Sequence, residues 1–188
     1  MFSDYAHNAY KPAQEAGCRK GIATHGISYA YVMEALQGKP APALLKIATP
    51  FPFPEKLAVE FLRSVDEVLC IEELDPVIER ALTYVCGKYR LNVTIRGKLT
   101  QDVPHAGENT CASAQKQISA FMGWALPDPV QTDAPPALPM RPPVLCAGCP
   151  HRASFYAVKR AMKGKKAVFC GDIGCYTLGN AMPLDMVD

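Results

Sequence analysis

The stretch KGIATHGISYAYVMEALQGKPAPALLKI, residues 20–47, decides how this chain folds. Residues 20–23 predict a short strand, and residues 44–47 predict a second one. Between them, the residues from Tyr29 to Leu36 predict a helix that opens at Ser28 and closes near Gly38. A strand, a helix and a strand in this order predict a β-α-β unit.

Two more helices and two more strands follow this unit. The predicted elements are a helix from Pro54, a strand at residues 67–72, a helix from Val77 to about Val85, and a strand at residues 92–95. In the first of these helices Leu57, Phe61 and Leu62 share one face, which suits a helix that covers a sheet. Asp75 and Pro76 supply a cap and a first-turn proline for the second. Alternating strands and helices predict an α/β fold with a parallel sheet and helices on its faces.

Prolines crowd residues 104–143, where the chain has little periodicity. A proline-rich segment stays extended and semi-rigid, so this range is predicted to be a linker. Within it, residues 118–126 predict one or two helical turns docked on a neighbour, with Trp124 as a packing anchor. The predicted organisation is an N-terminal extension at 1–18, an α/β domain at 19–103, the linker at 104–143, and the start of a second, truncated α/β domain at 144–188.

Three cysteines near the end of the chain form its most reactive pattern. Cys146 and Cys149 are spaced Cys-x-x-Cys, and Cys175 lies in a glycine-rich turn. Three soft thiolates suit an iron–sulfur cluster or zinc. For zinc, Cys170 is a better fourth ligand than His151, which stands only two residues from Cys149. A thioredoxin-like redox pair is a third interpretation, although a long buried strand usually precedes such a pair.

The turn Gly171-Asp172-Ile173-Gly174-Cys175 follows a predicted strand at residues 167–170. Because glycine has no side chain, the backbone amides of such a turn can approach a phosphate. Asp172 is predicted to order the turn by accepting backbone amides. His151 and Arg152 stand at the start of a predicted helix at residues 152–162, where their charge suits either a solvated helix end or a bound anion.

Composition narrows the possible functions. With 20 Lys and Arg against 18 Asp and Glu, the net charge is +2, and no basic block predicts a nucleic-acid partner. No apolar run approaches the roughly 18 residues of a membrane span, and the start of the chain lacks the order of a signal peptide. We therefore expect a cytoplasmic protein with reduced thiols. The remaining cysteines are predicted to be packing or incidental thiols: Cys18, Cys70, Cys86, Cys111 and Cys170.

The motifs CAGCPHR at 146–152 and GDIGCYTLG at 171–179 resemble the diphosphate-binding domain of the thiamine-diphosphate-dependent 2-oxoacid:ferredoxin oxidoreductases. The resemblance is greatest to the alpha subunit of the members that act on indolepyruvate. It implies that Cys146, Cys149 and Cys175 bind a 4Fe-4S cluster, with a fourth ligand beyond Asp188. It also implies that the turn from Gly171 to Tyr176 lies against thiamine diphosphate, with His151 and Arg152 near the cofactor or the cluster.

A second resemblance covers residues 21 to about 96. The segments GIATHGISY at 21–29, PFPEKL at 52–57 and EELDP at 72–76 resemble the transketolase-C-terminal-like domain, a three-layer fold that precedes the diphosphate domain in the same subunit. The two matches occur in the family's order. His25 departs from the small polar residue expected there, and Ala147 replaces a proline that is frequent in the family.

The resemblance implies an internal piece of an oxidoreductase alpha subunit that works with a beta subunit. The full complex would oxidatively decarboxylate an aryl 2-oxoacid to its acyl-coenzyme A and reduce ferredoxin. The ligands of its magnesium ion would lie beyond Asp188, so this piece alone is expected to be inactive. The alternatives are a related oxidoreductase with another substrate, a zinc-stabilised interaction module, and a non-catalytic relative kept for its α/β domain.

Overall fold

The computed structural model of the protein describes residues 3–126 and 136–186. The chain divides into two compact units, residues 1–130 and residues 131–188. Each unit has its own helices and its own buried side chains. Residues 127–135 of the predicted linker lie outside the described residues.

The first unit is built on a five-stranded sheet with the strand order β1-β3-β2-β4-β5. Strands β2 to β5 run parallel to their neighbours, and β1 pairs antiparallel with β3 at one edge. The strands are β1 (Ala9–Lys11), β2 (Lys20–His25), β3 (Ala43–Ile47), β4 (Glu67–Ile71) and β5 (Thr94–Arg96). The helices are α1 (Gly26–Ala35), α2 (Glu55–Arg63), α3 (Val77–Tyr89) and α4 (Cys111–Met122). The predicted α/β class is confirmed.

Both faces of the sheet are covered, which gives the unit three layers. The register places Ala23, Leu45 and Cys70 side by side, and this face packs against α2 and α3. The residue before each of these three points to the opposite face of the sheet and packs with α1 and α4: Ile22, Leu44 and Leu69. Because side chains on both faces of these strands are buried, each strand is a continuous apolar run rather than an alternation of apolar and polar residues.

Gly21 in β2 is required by the close approach of α2. A methyl group at this position would lie 2.6 Å from a ring carbon of Phe61, which is fully buried. Any side chain larger than hydrogen would therefore push α2 away from the sheet.

Helix α3 is capped by a residue that its local sequence does not indicate. The predicted cap Asp75 makes no side-chain cap, and Pro76 occupies the N-cap position. Instead the buried carboxylate of Glu72 accepts hydrogen bonds from the amides of Ile78 at 2.8 Å and Glu79 at 3.0 Å. An anion is favourable there because the helix N-terminus carries unsatisfied N–H groups and a partial positive charge.

Replacing Glu72 by alanine is expected to lower the free energy of unfolding by about 2 kcal/mol or more, because two buried amides lose their acceptor. Urea unfolding followed by circular dichroism measures the change. Glu60→Ala, an exposed position on α2, is the matched control and should stay within about 0.5 kcal/mol of the parent chain. Equal free energies of unfolding for the two variants would contradict the role of Glu72 as the cap of α3.

Helix α1 begins earlier than predicted, at Gly26. Ser28 does not open the helix but lies buried inside it, where its hydroxyl accepts from the side-chain amide of Asn109 at 3.2 Å. Asn109 also donates to the carbonyl of Glu72 at 3.2 Å. This side chain therefore joins the segment before α4 to the first turn of α1 and to the residue that follows β4.

Two elements of the first unit fall in ranges that the sequence assigned to an extension and a linker. Strand β1 lies within residues 1–18, and α4 lies within residues 104–143 and packs on α1. Trp124 packs against the same buried cluster, as predicted for an anchor. The ammonium of Lys20 donates to the carbonyl of Phe121 at 2.5 Å, which ties the end of α4 to β2. The boundaries of independently folding domains stay a prediction.

The second unit is small. Helix α5 (Pro150–Ala161) and a 3-10 turn at Thr177–Gly179 are its helical elements, and Leu145, Phe155 and Met186 are its buried side chains. The predicted helix at 152–162 is thus confirmed, with its start two residues earlier. Among the helices of residues 3–126 and 136–186, none combines the length and apolar character that a bilayer crossing requires.

The strand predicted at residues 167–170 does not form. The segment has no regular structure, and Val168 is 76% exposed. A strand needs a neighbour for its backbone hydrogen bonds, and residues 136–186 contain no other strand. The apolar run Ala167-Val168-Phe169 is the reason for the prediction, and the missing partner is the reason for its failure.

Candidate functional site

The Cys146–Cys149 segment is a tight turn that leads directly into α5. Gly148 has φ 71°, a left-handed conformation that suits glycine, and the amide of Cys149 donates to the carbonyl of Cys146 at 3.2 Å. Cys149 is the N-cap residue and Pro150 is the first residue of the helix, where a proline costs no hydrogen bond. Cys146 is exposed and Cys149 is half-buried.

His151 and Arg152 both contact this turn. The sulfur of Cys149 lies 3.2 Å from Nδ1 of His151. Arg152 donates from Nε to the carbonyl of Cys146 at 3.2 Å and from Nη2 to the carbonyl of Leu145 at 2.6 Å. The guanidinium therefore holds the turn by its carbonyls. Anion binding by these two residues stays a prediction.

The glycine-rich turn is ordered by its own polar side chains. The amide of Ile173 donates to Oδ1 of Asp172 at 2.8 Å, which is the role predicted for this aspartate. Oγ1 of Thr177 accepts from the amide of Gly174 at 3.3 Å and donates to the carbonyl of Asp172 at 3.1 Å. Sequence reasoning missed Thr177. The sequence feature that could have identified Thr177 is a hydroxyl side chain three positions after a turn glycine, because such a hydroxyl can accept from the amide of that glycine.

Aromatic contacts bring the two motifs together within the second unit. The ring of Tyr176 meets that of His151 edge-on at 5.4 Å between centroids, and that of Phe155 at 5.7 Å. A methyl group at Gly179 would lie 2.8 Å from the Phe155 ring, so the 3-10 turn packs directly on α5. The start of α5 and the end of the glycine turn therefore share one surface.

The predicted cysteine ligands are free thiols that do not converge on one point. Cys146 and Cys175 are exposed and Cys149 is half-buried. Within residues 3–126 and 136–186, no group of three or more His, Cys, Asp or Glu side chains is arranged to hold a metal ion. The donor types match a soft metal or an iron–sulfur cluster, whereas the three thiols do not form the site within this chain. The ligand assignment stays a prediction.

The other cysteines divide into buried and accessible thiols. Burial, aided by the negative charges of Glu72 and Glu79, raises the pKa of the Cys70 thiol well above its ordinary value. Burial also raises the pKa of Cys86. Cys170 is exposed. Since the thiolate is the reactive form, Cys70 and Cys86 are inert in the folded chain.

In the reduced, metal-free chain, iodoacetamide is expected to modify Cys146, Cys170 and Cys175 quickly. Cys70 should react slower by on the order of a thousandfold or more, because it becomes accessible only when the first unit opens. Peptide mass spectrometry after timed exposure measures each position, and a denatured sample gives the intrinsic rates. Labelling of Cys70 at the rate of Cys170 would contradict the buried position of β4.

Comparison with curated proteins finds relatives named indolepyruvate oxidoreductase subunit IorA. The chain is 39% identical over 175 residues to that of Methanothermobacter thermautotrophicus, covering 89% of this chain and 28% of the relative. It is 41% identical over 176 residues to that of Thermococcus kodakarensis and 39% identical over 176 residues to that of Pyrococcus horikoshii, covering 89% of this chain and 27% of each relative. The resemblance predicted from the motifs is confirmed.

The chain spans 27–28% of the length of these relatives. No family model matches it. Among solved structures, it is similar to a chain described as a split-gene transketolase, inactive beta4 tetramer. That similarity has a TM-score of 0.41 and 18% identity and covers 61% of this chain and 41% of the other.

Proposed function

We infer that this chain is one segment of an indolepyruvate oxidoreductase subunit, because 89% of its length aligns at 39–41% identity with subunits of that name. That alignment is the observation that carries the proposal. Its support within the chain is the pair of motifs at 146–152 and 171–179, which meet through His151 and Tyr176.

The proposed reaction is the oxidative decarboxylation of indolepyruvate or a related aryl 2-oxoacid. The bond between the carboxylate and the keto carbon breaks and CO₂ leaves. The keto carbon forms a thioester with coenzyme A, whose thiol proton is released. Two electrons leave the substrate and reduce two ferredoxin molecules. A beta subunit would complete the enzyme, which the word subunit in the relatives' names supports.

Within this enzyme, the chain would contribute residues to two binding sites, one for thiamine diphosphate and one for a 4Fe-4S cluster. The turn from Gly171 to Tyr176 is exposed, and glycines at 171 and 174 leave its backbone uncovered, which fits the approach of a diphosphate. The amides of Ile173 and Gly174 already donate within the turn, so Cys175 and Tyr176 would supply amides to the ligand. Thiamine diphosphate, with magnesium, supplies the chemistry that cleaves the bond beside the keto group.

Cys146, Cys149 and Cys175 would hold a 4Fe-4S cluster together with a thiolate from outside this chain. Their chemistry fits, since free and accessible thiols are the ligands of such clusters. Arg152 would keep the Cys146 turn closed through its two carbonyl contacts. The cluster's role is one-electron transfer from the substrate toward ferredoxin.

One observation favours a second candidate, a zinc-stabilised module without catalysis. Nδ1 of His151 lies 3.2 Å from the Cys149 sulfur, so these two side chains face one another as neighbouring ligands of one ion would. Cys146 and either Cys170 or Cys175 would complete a set of four. The two candidates differ in the metal that the protein retains.

The test uses the full-length subunit that contains this segment, co-purified without oxygen with its beta subunit. We expect a brown protein with iron and acid-labile sulfide that reduces ferredoxin only when indolepyruvate, coenzyme A and thiamine diphosphate are all present. Pyruvate is the control substrate. A colourless protein that holds zinc and reduces no acceptor would overturn the proposal and support the second candidate.

A further inference from the structure

Helix α3 is apolar on two faces. Its inner face covers the sheet with the buried side chains of Ile78, Leu82 and Val85. On its outer face Val77 is 43% exposed and Tyr84, two turns later, is 67% exposed. Helices α2 and α4, whose residues are all described, expose no large apolar side chain. The outer face of α3 therefore has the character of an interaction surface.

The loop after β3 enlarges this surface. Phe51 is 91% exposed, although prolines at positions 50, 52 and 54 restrict the backbone around it. Phe51, Ala81 and Tyr84 line one groove with a volume of about 310 Å³. The restricted backbone holds the Phe51 ring at the surface before any partner binds, which lowers the entropy cost of binding. We call Phe51, Val77, Ala81 and Tyr84 the α3 face.

Gly87 lies beside the α3 face, three positions after Tyr84. A methyl group at this glycine would meet no atom within 4 Å, so nothing in the fold requires the missing side chain. Glycine also weakens a helix relative to alanine. A second backbone that approaches α3 closely would give the glycine a role, because it leaves room for that approach.

The two ends of α3 carry opposite charges that are free to pair. Asp75 stands just before the helix and Arg90 ends it, and both are exposed. Within residues 3–126 and 136–186, neither side chain forms an ion pair or a hydrogen bond. An antiparallel pair of α3 helices in which Asp75 faces Arg90 also places Tyr84 opposite Ala81. Each copy then offers a large ring to a small residue of the other.

We propose that the α3 face is an interface between two copies of this chain, related by a twofold axis with their α3 helices antiparallel. A twofold interface uses the same patch on both copies, and this patch holds both members of each contact. A stable interface needs about 800 Å² from each partner, and an aromatic side chain buries about 150–250 Å². Phe51 and Tyr84 would thus supply roughly a third to a half of that area. The proposal does not depend on the oxidoreductase assignment.

Sedimentation velocity of the 188-residue chain over a range of concentrations tests the proposal, with a reductant present so that exposed cysteines cannot crosslink. We expect a reversible monomer–dimer equilibrium. Tyr84→Asp places two charges in the interface and should raise the dimer dissociation constant about a hundredfold or more, with an unchanged circular dichroism spectrum. Ile27→Asp removes an exposed apolar side chain from α1, is the matched control, and should dimerise as the parent does. A monomeric parent chain, or a dimer that survives Tyr84→Asp, would overturn the proposal.

Charge reversal tests the antiparallel register. Asp75→Arg and Arg90→Asp each set like charges against one another twice in a homodimer, so each should weaken the dimer about tenfold. An equimolar mixture restores both pairs in a heterodimer, which should form with the affinity of the parent. Glu60→Arg and Lys56→Asp make the same charge changes at exposed positions of α2, and they should dimerise as the parent does, alone or mixed. A mixture that dimerises no better than its components would contradict the proposed arrangement.

The alternative occupant of the α3 face is another segment of the longer subunit, because the chain spans only 27–28% of its relatives. Two full-length subunits with different tags, one with Asp75→Arg and one with Arg90→Asp, distinguish the two occupants when they are coexpressed. If α3 meets α3, the mixed dimer should exceed its statistical share. A statistical mixture of dimers, or monomers alone, would assign the face to another segment and overturn the proposal.

Discussion

Replacing Cys175 by serine in the full-length subunit is expected to remove most of its iron and to lower ferredoxin reduction about tenfold or more. Loss of even an outer contact of a metal site costs roughly ten- to a hundredfold, and a hydroxyl is a much poorer ligand than a thiolate for iron. Cys146→Ser and Cys149→Ser should have the same effect. Iron analysis and the rate of ferredoxin reduction are the measurements. Release of CO₂ should fall less, because decarboxylation precedes electron transfer.

Two control variants make this result specific. Cys111 lies at the start of α4, where its thiol donates to the carboxylate of Glu34 at 3.1 Å, so Cys111→Ser should leave iron and activity unchanged. Cys170 is a ligand only in the zinc candidate, and Cys170→Ser should retain iron if the cluster proposal holds. Full iron content and full ferredoxin reduction in Cys175→Ser would mean that Cys175 is not a cluster ligand and only forms part of the turn.

The central elements of the first unit are predictable because they carry strong local signals. Strands β2, β3 and β4 are apolar runs buried on both faces, and α2 and α3 each follow a proline that suits a helix start. The cap of α3 is not predictable in this way. Glu72 reaches its amides only because β4 ends beneath the helix, which is a tertiary relation.

Strand β1 was missed, and of helix α4 (Cys111–Met122) only the end was predicted, as one or two helical turns within residues 118–126. Strand β1 has three residues, of which none is buried, so no apolar pattern marks it. The buried apolar residues of helix α4 are Ala114 and Ile118, which lie four positions apart. Two residues are too few to give a recognisable helical periodicity in a proline-rich range. Thr110 and Ser113 form a capping box, which is a known signal for a helix start. The proline-rich composition of residues 104–143 led to the linker prediction in spite of it.

The candidate site is predictable in its residue types but not in its assembly. Spacing identifies Cys146 and Cys149, and glycine content identifies the turn around Cys175. The contact between His151 and Tyr176 depends on how α5 packs, and sequence spacing does not encode it. Convergence of the cysteines requires a framework larger than the three buried side chains of the second unit, and the relatives contain more than three times this length.

Removal of α4 is expected to destabilise the first unit by several kcal/mol. Fully burying one large aliphatic side chain contributes roughly 1.5–3 kcal/mol, and α4 buries Ile118 and Ala114 against α1 while Phe121 and Met122 pack beside them. Without the helix, Val32 and Leu36 would face water. A domain is stable by only about 5–15 kcal/mol in total, so this loss is a large fraction.

A chain of residues 1–126 should therefore unfold cooperatively in urea, and a chain of residues 1–103 should unfold at a much lower midpoint or lack a cooperative transition. The point variant Ile118→Ala tests the same contact without truncation and should cost about 2–5 kcal/mol. Lys116→Ala, exposed on the same helix, is its control and should change little. Equal midpoints for the two chains would mean that the sheet and its first three helices suffice, with residue 103 as the true boundary. A lower midpoint for the shorter chain would instead place α4 inside the folding unit, so that a tether could begin only after Trp124.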